Sequence, residues 1–165
     1  MICKGKAWKF GKDINTDAIL PTKYMNLRDP EELARHCLEN ENPRFAREAK
    51  AGDFIVADKN FGSGSSREHA PISIKGKGIG CVIAKSFARI FYRSAFNIGL
   101  PILESGAAFE GIEDGHQLEV DLFTGEIRNK TTGKSFKAEP IPQFMQQIID
   151  DGGLLAHIAK KKLKA

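Results

Sequence analysis

The chain has 165 residues, 41% of them hydrophobic and 28% charged, and 25 Lys and Arg against 21 Asp and Glu leave a formal charge of +4. That is the composition of one ordinary globular domain, taken as residues 1–165, and it excludes a disordered or fibrous chain. Much of the excess charge sits in Lys160 to Lys164, where no aromatic residue interleaves it, so a solvated helix end is favoured over nucleic-acid contact.

The first ten residues place Ile2, Trp8 and Phe10 at strand spacing, and Gly11 and Asp13 end the run. Asp13 to Asp17 (DINTD) carries two carboxylates and two short polar side chains, a composition that Asx turns explain. Asp29-Pro30-Glu31-Glu32 is a helix start with a cap, a proline at the first position and acidic residues in the first turn, predicted to run to about Asn40. Asn42-Pro43 opens a shorter helix that Gly52 ends.

Asp53 to Asp58 (DFIVAD) and Ile79 to Ala84 (IGCVIA) are short apolar runs suited to strands buried on both faces. Ser86 is the expected cap of the next helix, in which Phe87, Ile90, Phe91, Ala95 and Ile98 recur at helical spacing until Gly99. Pro101 to Leu103 reads as a third buried strand, and strand, helix, strand, helix, strand is the grammar of parallel crossover units. From Gln117 the pattern alternates through Leu118, Val120 and Leu122, with turns at Thr124-Gly125 and Thr131 to Gly133, which predicts an antiparallel meander forming a second sheet. Pro142 then starts a helix broken at Gly152-Gly153, and Leu154 to Lys162 forms a last amphipathic one.

Between the two central strands lies Asn60 to Pro71 (NFGSGSSREHAP), the one stretch that gathers glycines, hydroxyls and a fixed positive charge. Gly62 and Gly64 let backbone N–H groups converge, the helix start adds more of them, and Arg67 supplies a planar fork for a carboxylate or phosphate. The same residues also suit a plain tight turn with Ser65 or Ser66 as helix cap and Glu68 in the first turn. The Walker frame, the dinucleotide glycine fingerprint and the G-x-S-x-G elbow are all absent. Cys3, Cys37 and Cys81 are too few and too far apart for a disulfide framework or a self-contained cluster site. No leader-like segment or membrane-length apolar run occurs, so a cytoplasmic protein is expected.

Three runs, Asn15-Thr16-Asp17-Ala18-Ile19-Leu20-Pro21, Gly64-Ser65-Ser66-Arg67-Glu68-His69 and Ala84-Lys85-Ser86-Phe87-Ala88-Arg89-Ile90, together resemble the swivelling domain of the aconitase superfamily. A free-standing chain of this size is similar to the small subunits of the 3-isopropylmalate dehydratase family, over about the first two thirds of its length. The resemblance implies an α/β fold, a swivelling β/β/α three-layer domain with a mixed sheet and a smaller antiparallel hairpin region. It implies a hydro-lyase of leucine biosynthesis that interconverts 2- and 3-isopropylmalate and works only with a large subunit. A 4Fe-4S cluster would be carried by that large subunit, and this chain would bind no metal.

By the same resemblance Ser65 is the base, activated by converging backbone donors and Arg67. Arg67 and Ser66 hold a substrate carboxylate, while Thr16, Asp17, Gly62 and Gly64 support the site. The loop Lys23 to Leu27 implies substrate choice: Tyr24, Met25 and Asn26 would face the variable group of a 2- or 3-hydroxy dicarboxylate, Asn26 standing where homoaconitase relatives carry an arginine. Met25 and Leu27 suit an apolar branch, and related dehydratases of dimethylmalate or citraconate type, or homoaconitase, stay open as alternatives. A non-catalytic anion- or RNA-binding module is the alternative of another class.

Overall fold

The computed structural model describes residues 1–164. The N-terminal run forms β1 (Ile2–Lys9), and the three short apolar runs form β2 (Phe54–Ala57), β3 (Cys81–Ala84) and β4 (Ile102–Glu104). All four are parallel neighbours, β1 beside β2, β2 beside β3 and β3 beside β4. Every residue of β2 and β3 is buried, as their unbroken apolar sequence requires.

The meander follows as β5 (Gln117–Asp121), β6 (Glu126–Asn129) and β7 (Ser135–Lys137), each antiparallel to the one before. It is not a second sheet. β5 pairs antiparallel with the free edge of β1, from Ile2 opposite Asp121 to Lys6 opposite Gln117, giving one mixed sheet of order β4-β3-β2-β1-β5-β6-β7. The period-2 pattern gives the strands but not the edge they join.

The helices are α1 (Thr16–Ile19), α2 (Pro30–Arg35), α3 (Pro43–Glu48), α4 (His69–Gly76), α5 (Arg89–Ile98), α6 (Gly106–Gly111), α7 (Gln143–Asp150) and α8 (Leu154–Lys164), with a 3₁₀ turn at Thr22–Tyr24. Asp29 and Asn42 cap α2 and α3 through their side chains, as their sequences predict. α2 stops at Arg35 rather than near Asn40, because the chain turns back so that the buried Leu38, at φ 56°, donates its N–H to Ile19 O at 2.7 Å. α6 is unforeseen, its only sequence signal being the Ser105 cap before a glycine-flanked apolar run.

The core runs through the sheet, with Trp8, Phe45, Phe54, Phe61 and Ile83 fully buried and Trp8 meeting Phe45 edge to face at 5.6 Å. Beside it lies a buried carboxylate. Asp53 accepts hydrogen bonds from the Trp8 indole at 3.0 Å, the Lys6 N–H at 3.1 Å and the Lys50 N–H at 2.9 Å, tying the start of β2 to β1. Among the described residues no helix is long and apolar enough to cross a membrane.

Candidate functional site

Parallel strands in adjacent positions deliver their following loops to one edge of the sheet, the usual place for a site in such folds. Here the loops after β1, β2 and β3 contain the three singled-out runs, and they are laced together. Thr16 N–H donates to Ser63 O at 2.8 Å and Gly62 N–H to Ile14 O at 2.7 Å, so the first and second loops pair as a short parallel bridge. Phe61 N–H donates to Ser86 O at 3.1 Å and Ala88 N–H to Phe61 O at 3.0 Å, which binds the second loop to the third.

Ser86 is not a helix cap. α5 begins at Arg89 with Ala88 before it, and the Ser86 hydroxyl instead accepts the Asn60 N–H at 2.9 Å. Asn60, at φ 62°, also reaches Asp13 Oδ1 through its side-chain amide at 3.1 Å, so the loop after β2 is held on both sides before it reaches the glycines.

Gly62 lies on an aromatic floor. A Cβ there would stand 2.2 Å from Phe91 Cγ, and Phe61 and Phe91 meet edge to face at 5.2 Å beneath it. Gly64, at φ +95°, passes over Thr16 with more room, the nearest atom to an added Cβ being Thr16 Oγ1 at 3.5 Å. Both glycines occupy the left-handed region that other residues seldom adopt. The chain then rises off the sheet, and Gly64, Ser65 and Ser66 are exposed.

Neither serine caps α4. The helix starts at His69 with Glu68 before it and no side-chain cap, and among the described residues the N–H groups of Ser65, Ser66 and Arg67 have no acceptor. Ser65 therefore lies in a stretch of free N–H donors four residues before the positive end of an eight-residue helix, a setting that favours an anion. Arg67 is mostly covered, 19% exposed at its side chain, and makes an ion pair with Asp17. Its Nη1 also donates to Thr22 Oγ1 at 3.4 Å. Both contacts use Nη1, which leaves Nε and Nη2 as an unengaged edge for a carboxylate. Thr22 is absent from the sequence-based set; 45 residues separate it from Arg67, and nothing local marks the contact.

Tyr24, Met25 and Asn26 form the far side of the same turn. Met25 N–H donates to Thr22 O at 3.1 Å and Leu27 N–H to Tyr24 O at 3.0 Å, so the segment is compact, with Asn26 exposed and Met25 half-buried. Thr16 is buried under Gly64, and Asp17 stays open apart from its arginine.

The chain's own cysteines do not suit a cluster. Cys37 and Cys81 are buried, burial pushes the Cys37 thiol up to about 12 and Cys81 well above its ordinary value, and no group of three or more His, Cys, Asp or Glu side chains among the described residues could hold a metal ion. A cleft of about 460 Å³ does exist, but it lies among the C-terminal helices against Gln147, Asp151, His157 and Lys160. The serine loop is an open edge.

Residues 9–106 match the family model described as Aconitase C-terminal domain, an interval that contains all three loops. The chain is 58% identical to the 3-isopropylmalate dehydratase small subunit of Caldicellulosiruptor bescii, over 99% of this chain and 98% of that protein. It is 52% identical to the isopropylmalate/citramalate isomerase small subunit of Methanocaldococcus jannaschii, over 97% of this chain and 95% of that protein. The crystal structure of a 3-isopropylmalate dehydratase from Methanocaldococcus jannaschii superposes with a TM-score of 0.93 at 47% identity, covering 99% of this chain and 96% of that one.

Proposed function

The chain belongs to the 3-isopropylmalate dehydratase small-subunit family, of the aconitase C-terminal-domain type, and from that premise we propose that Ser65, Ser66, Arg67 and Asp17 are its half of an active site closed by a large subunit. The reaction is the hydro-lyase isomerisation of isopropylmalate in leucine biosynthesis. One observation supports the assignment of residues: the loops after three adjacent parallel strands meet at one open edge, with Ser65 exposed and Arg67, two residues on, held by Asp17.

Ser65, as alkoxide, takes the proton from the carbon next to a substrate carboxylate while the hydroxyl leaves the neighbouring carbon and a double bond forms. On readdition hydroxide joins the carbon that lost the proton and Ser65 gives its proton to the carbon that lost the hydroxyl, so the hydroxyl changes carbon and no atom is gained or lost. A serine hydroxyl serves as a base at neutral pH only where its anion is stabilised, and the free N–H groups of residues 65–67 with the start of α4 are what this chain supplies. Arg67 binds a carboxylate through Nε and Nη2 while Asp17 and Thr22 hold Nη1, and Ser66 hydrogen-bonds the same group or the next. Asp17 is an orienting group, and because its own carboxylate is open to solvent the ion pair adds little to stability.

Tyr24, Met25 and Asn26 face the group that distinguishes one malate from another. Asn26 offers no charge to a third carboxylate, and Met25 suits an alkyl branch. A 4Fe-4S cluster carried by the large subunit would supply the Lewis acid for the departing hydroxyl; this chain's part is to bind, orient and move the proton.

The test is a holoenzyme reconstituted with its large subunit. Ser65→Ala is expected to lower kcat at least about 10³-fold with subunit assembly intact, and Arg67→Lys to act chiefly by raising KM. A Ser65→Ala holoenzyme that turns over at the wild-type rate removes Ser65 from this role.

A further inference from the structure

The loop that faces the substrate's variable group is held at Tyr24 by a pair of residues outside all three motif runs. The Tyr24 ring lies flat on the His36 imidazole, centroids 3.7 Å apart and planes 9° from parallel. Its hydroxyl donates to Glu39 Oε1 at 2.6 Å, and the second oxygen of that carboxylate meets His36 Nδ1 at 2.8 Å. Tyr24, His36 and Glu39 thus close a three-membered ring of contacts across the turn that ends α2. The turn itself is fixed to the first loop, through the Leu38 N–H bond to Ile19 O at 2.7 Å.

We infer that His36 and Glu39 are positioning residues for substrate selection, clamping Tyr24 so that Met25 and Asn26 meet the alkyl branch in register with Arg67. This deepens, and rests on, the functional reading above. The segment from Thr22 to Leu27 is one tight turn with two side-chain anchors in its first half, Thr22 Oγ1 on Arg67 and Tyr24 on Glu39. Met25 and Asn26 follow directly on Tyr24 and have no anchors of their own beyond the turn's backbone bonds.

Releasing Tyr24 therefore lets the selecting residues move relative to the arginine that fixes the substrate, and a shift of about 1 Å at such a site is expensive. Burial raises the Glu39 carboxyl, but hydrogen bonds from Tyr24 and His36 outweigh it and hold the group below its ordinary range, so it is an ionised acceptor. The same bond holds the Tyr24 proton in place, raising the phenol.

The experiment compares isopropylmalate with citramalate, whose branch is a single methyl, in reconstituted holoenzyme carrying wild-type, Glu39→Ala, Glu39→Gln, Tyr24→Phe or Tyr24→Phe/Glu39→Ala small subunits. Glu39→Ala is expected to raise KM for isopropylmalate about tenfold with kcat within about twofold of wild type, and to lower the isopropylmalate-to-citramalate ratio of kcat/KM at least fivefold or so. Glutamine keeps an acceptor for Tyr24 and is expected to restore most of the ratio, while the double variant is no worse than either single one. Tyr24→Phe keeps the ring on His36 and carries the test should Glu39→Ala fail to assemble. A purely structural role would lower the yield of holoenzyme without moving the ratio. An active wild type whose ratio is unchanged in Glu39→Ala and Tyr24→Phe overturns the inference alone; a wild-type holoenzyme inactive on both acids overturns it together with the functional reading.

Discussion

Gly62→Ala and Gly64→Ala ask the same chemistry of two positions two residues apart and should give different answers. Both backbones are left-handed, at φ +84° and +95°, and for an L side chain that conformation costs roughly 1–2 kcal/mol. At Gly64 that is nearly the whole cost, since the nearest atoms to an added methyl are 3.5 and 3.6 Å away, at van der Waals contact. At Gly62 the methyl would overlap three atoms of Phe91 at 2.2, 2.4 and 2.5 Å, and Phe91 is 2% exposed and packed between Phe61 and Phe87.

Such overpacking costs about 1–3 kcal/mol more, bringing Gly62→Ala to roughly 2–5 kcal/mol against roughly 1–2 for Gly64→Ala. Urea unfolding of the full chain, followed by circular dichroism, measures both at equilibrium. Equal midpoints, or a larger loss at Gly64, would refute the reasoning that the serine loop is seated on the aromatic floor at Gly62.

Asp53→Ala strands the buried Trp8 indole N–H and two backbone N–H groups, and should cost roughly 2–4 kcal/mol, read by thermal melting and by a red shift of the single tryptophan; a loss under about 1 kcal/mol would count against the buried carboxylate. Asp151, which joins α7 to α8, is held below the ordinary carboxylate range by hydrogen bonds from Lys160 at 2.9 Å and His157 at 2.7 Å. A depressed carboxyl stabilises fully above its unfolded value near pH 4 and loses that contribution as pH falls through the lowered value. Helical signal and melting temperature should therefore drop below about pH 4 in the wild type, and Asp151→Asn should remove that part of the slope; an identical acid profile in the variant would contradict it.

Much of the scaffold is legible in the sequence because its signals are local. FIVA and CVIA are apolar without interruption and short, which a buried parallel strand allows and a surface helix does not; the Asp-Pro and Asn-Pro starts of α2 and α3 carry their own caps. The serine loop stands out by composition, and the family resemblance of its flanking runs carries over to the matched relatives. What local patterns leave out is pairing at long range. The meander's attachment to β1, the contact of Thr22 with Arg67 and the stacking of Tyr24 on His36 join residues that no period or spacing connects. Ser86 was legible as a polar residue before a helix but not as the acceptor for Asn60, since a hydroxyl serves either purpose and only the bridge between Phe61 and Phe87 decides it.

The place of β1 in the sheet has a consequence for biosynthesis. It precedes both its partners in the chain, and it alone pairs parallel on one edge, with β2 from Phe54, and antiparallel on the other, with β5 from Gln117. A nascent chain long enough to dock β2 against it still presents the opposite row of peptide groups to solvent for some sixty further residues of translation, an open template of the kind that invites intermolecular pairing. Stalling or truncation between Asp58 and His116 should thus yield insoluble or chaperone-retained fragments, whereas release after Asp121 lets the N-terminal strand be capped by its own meander.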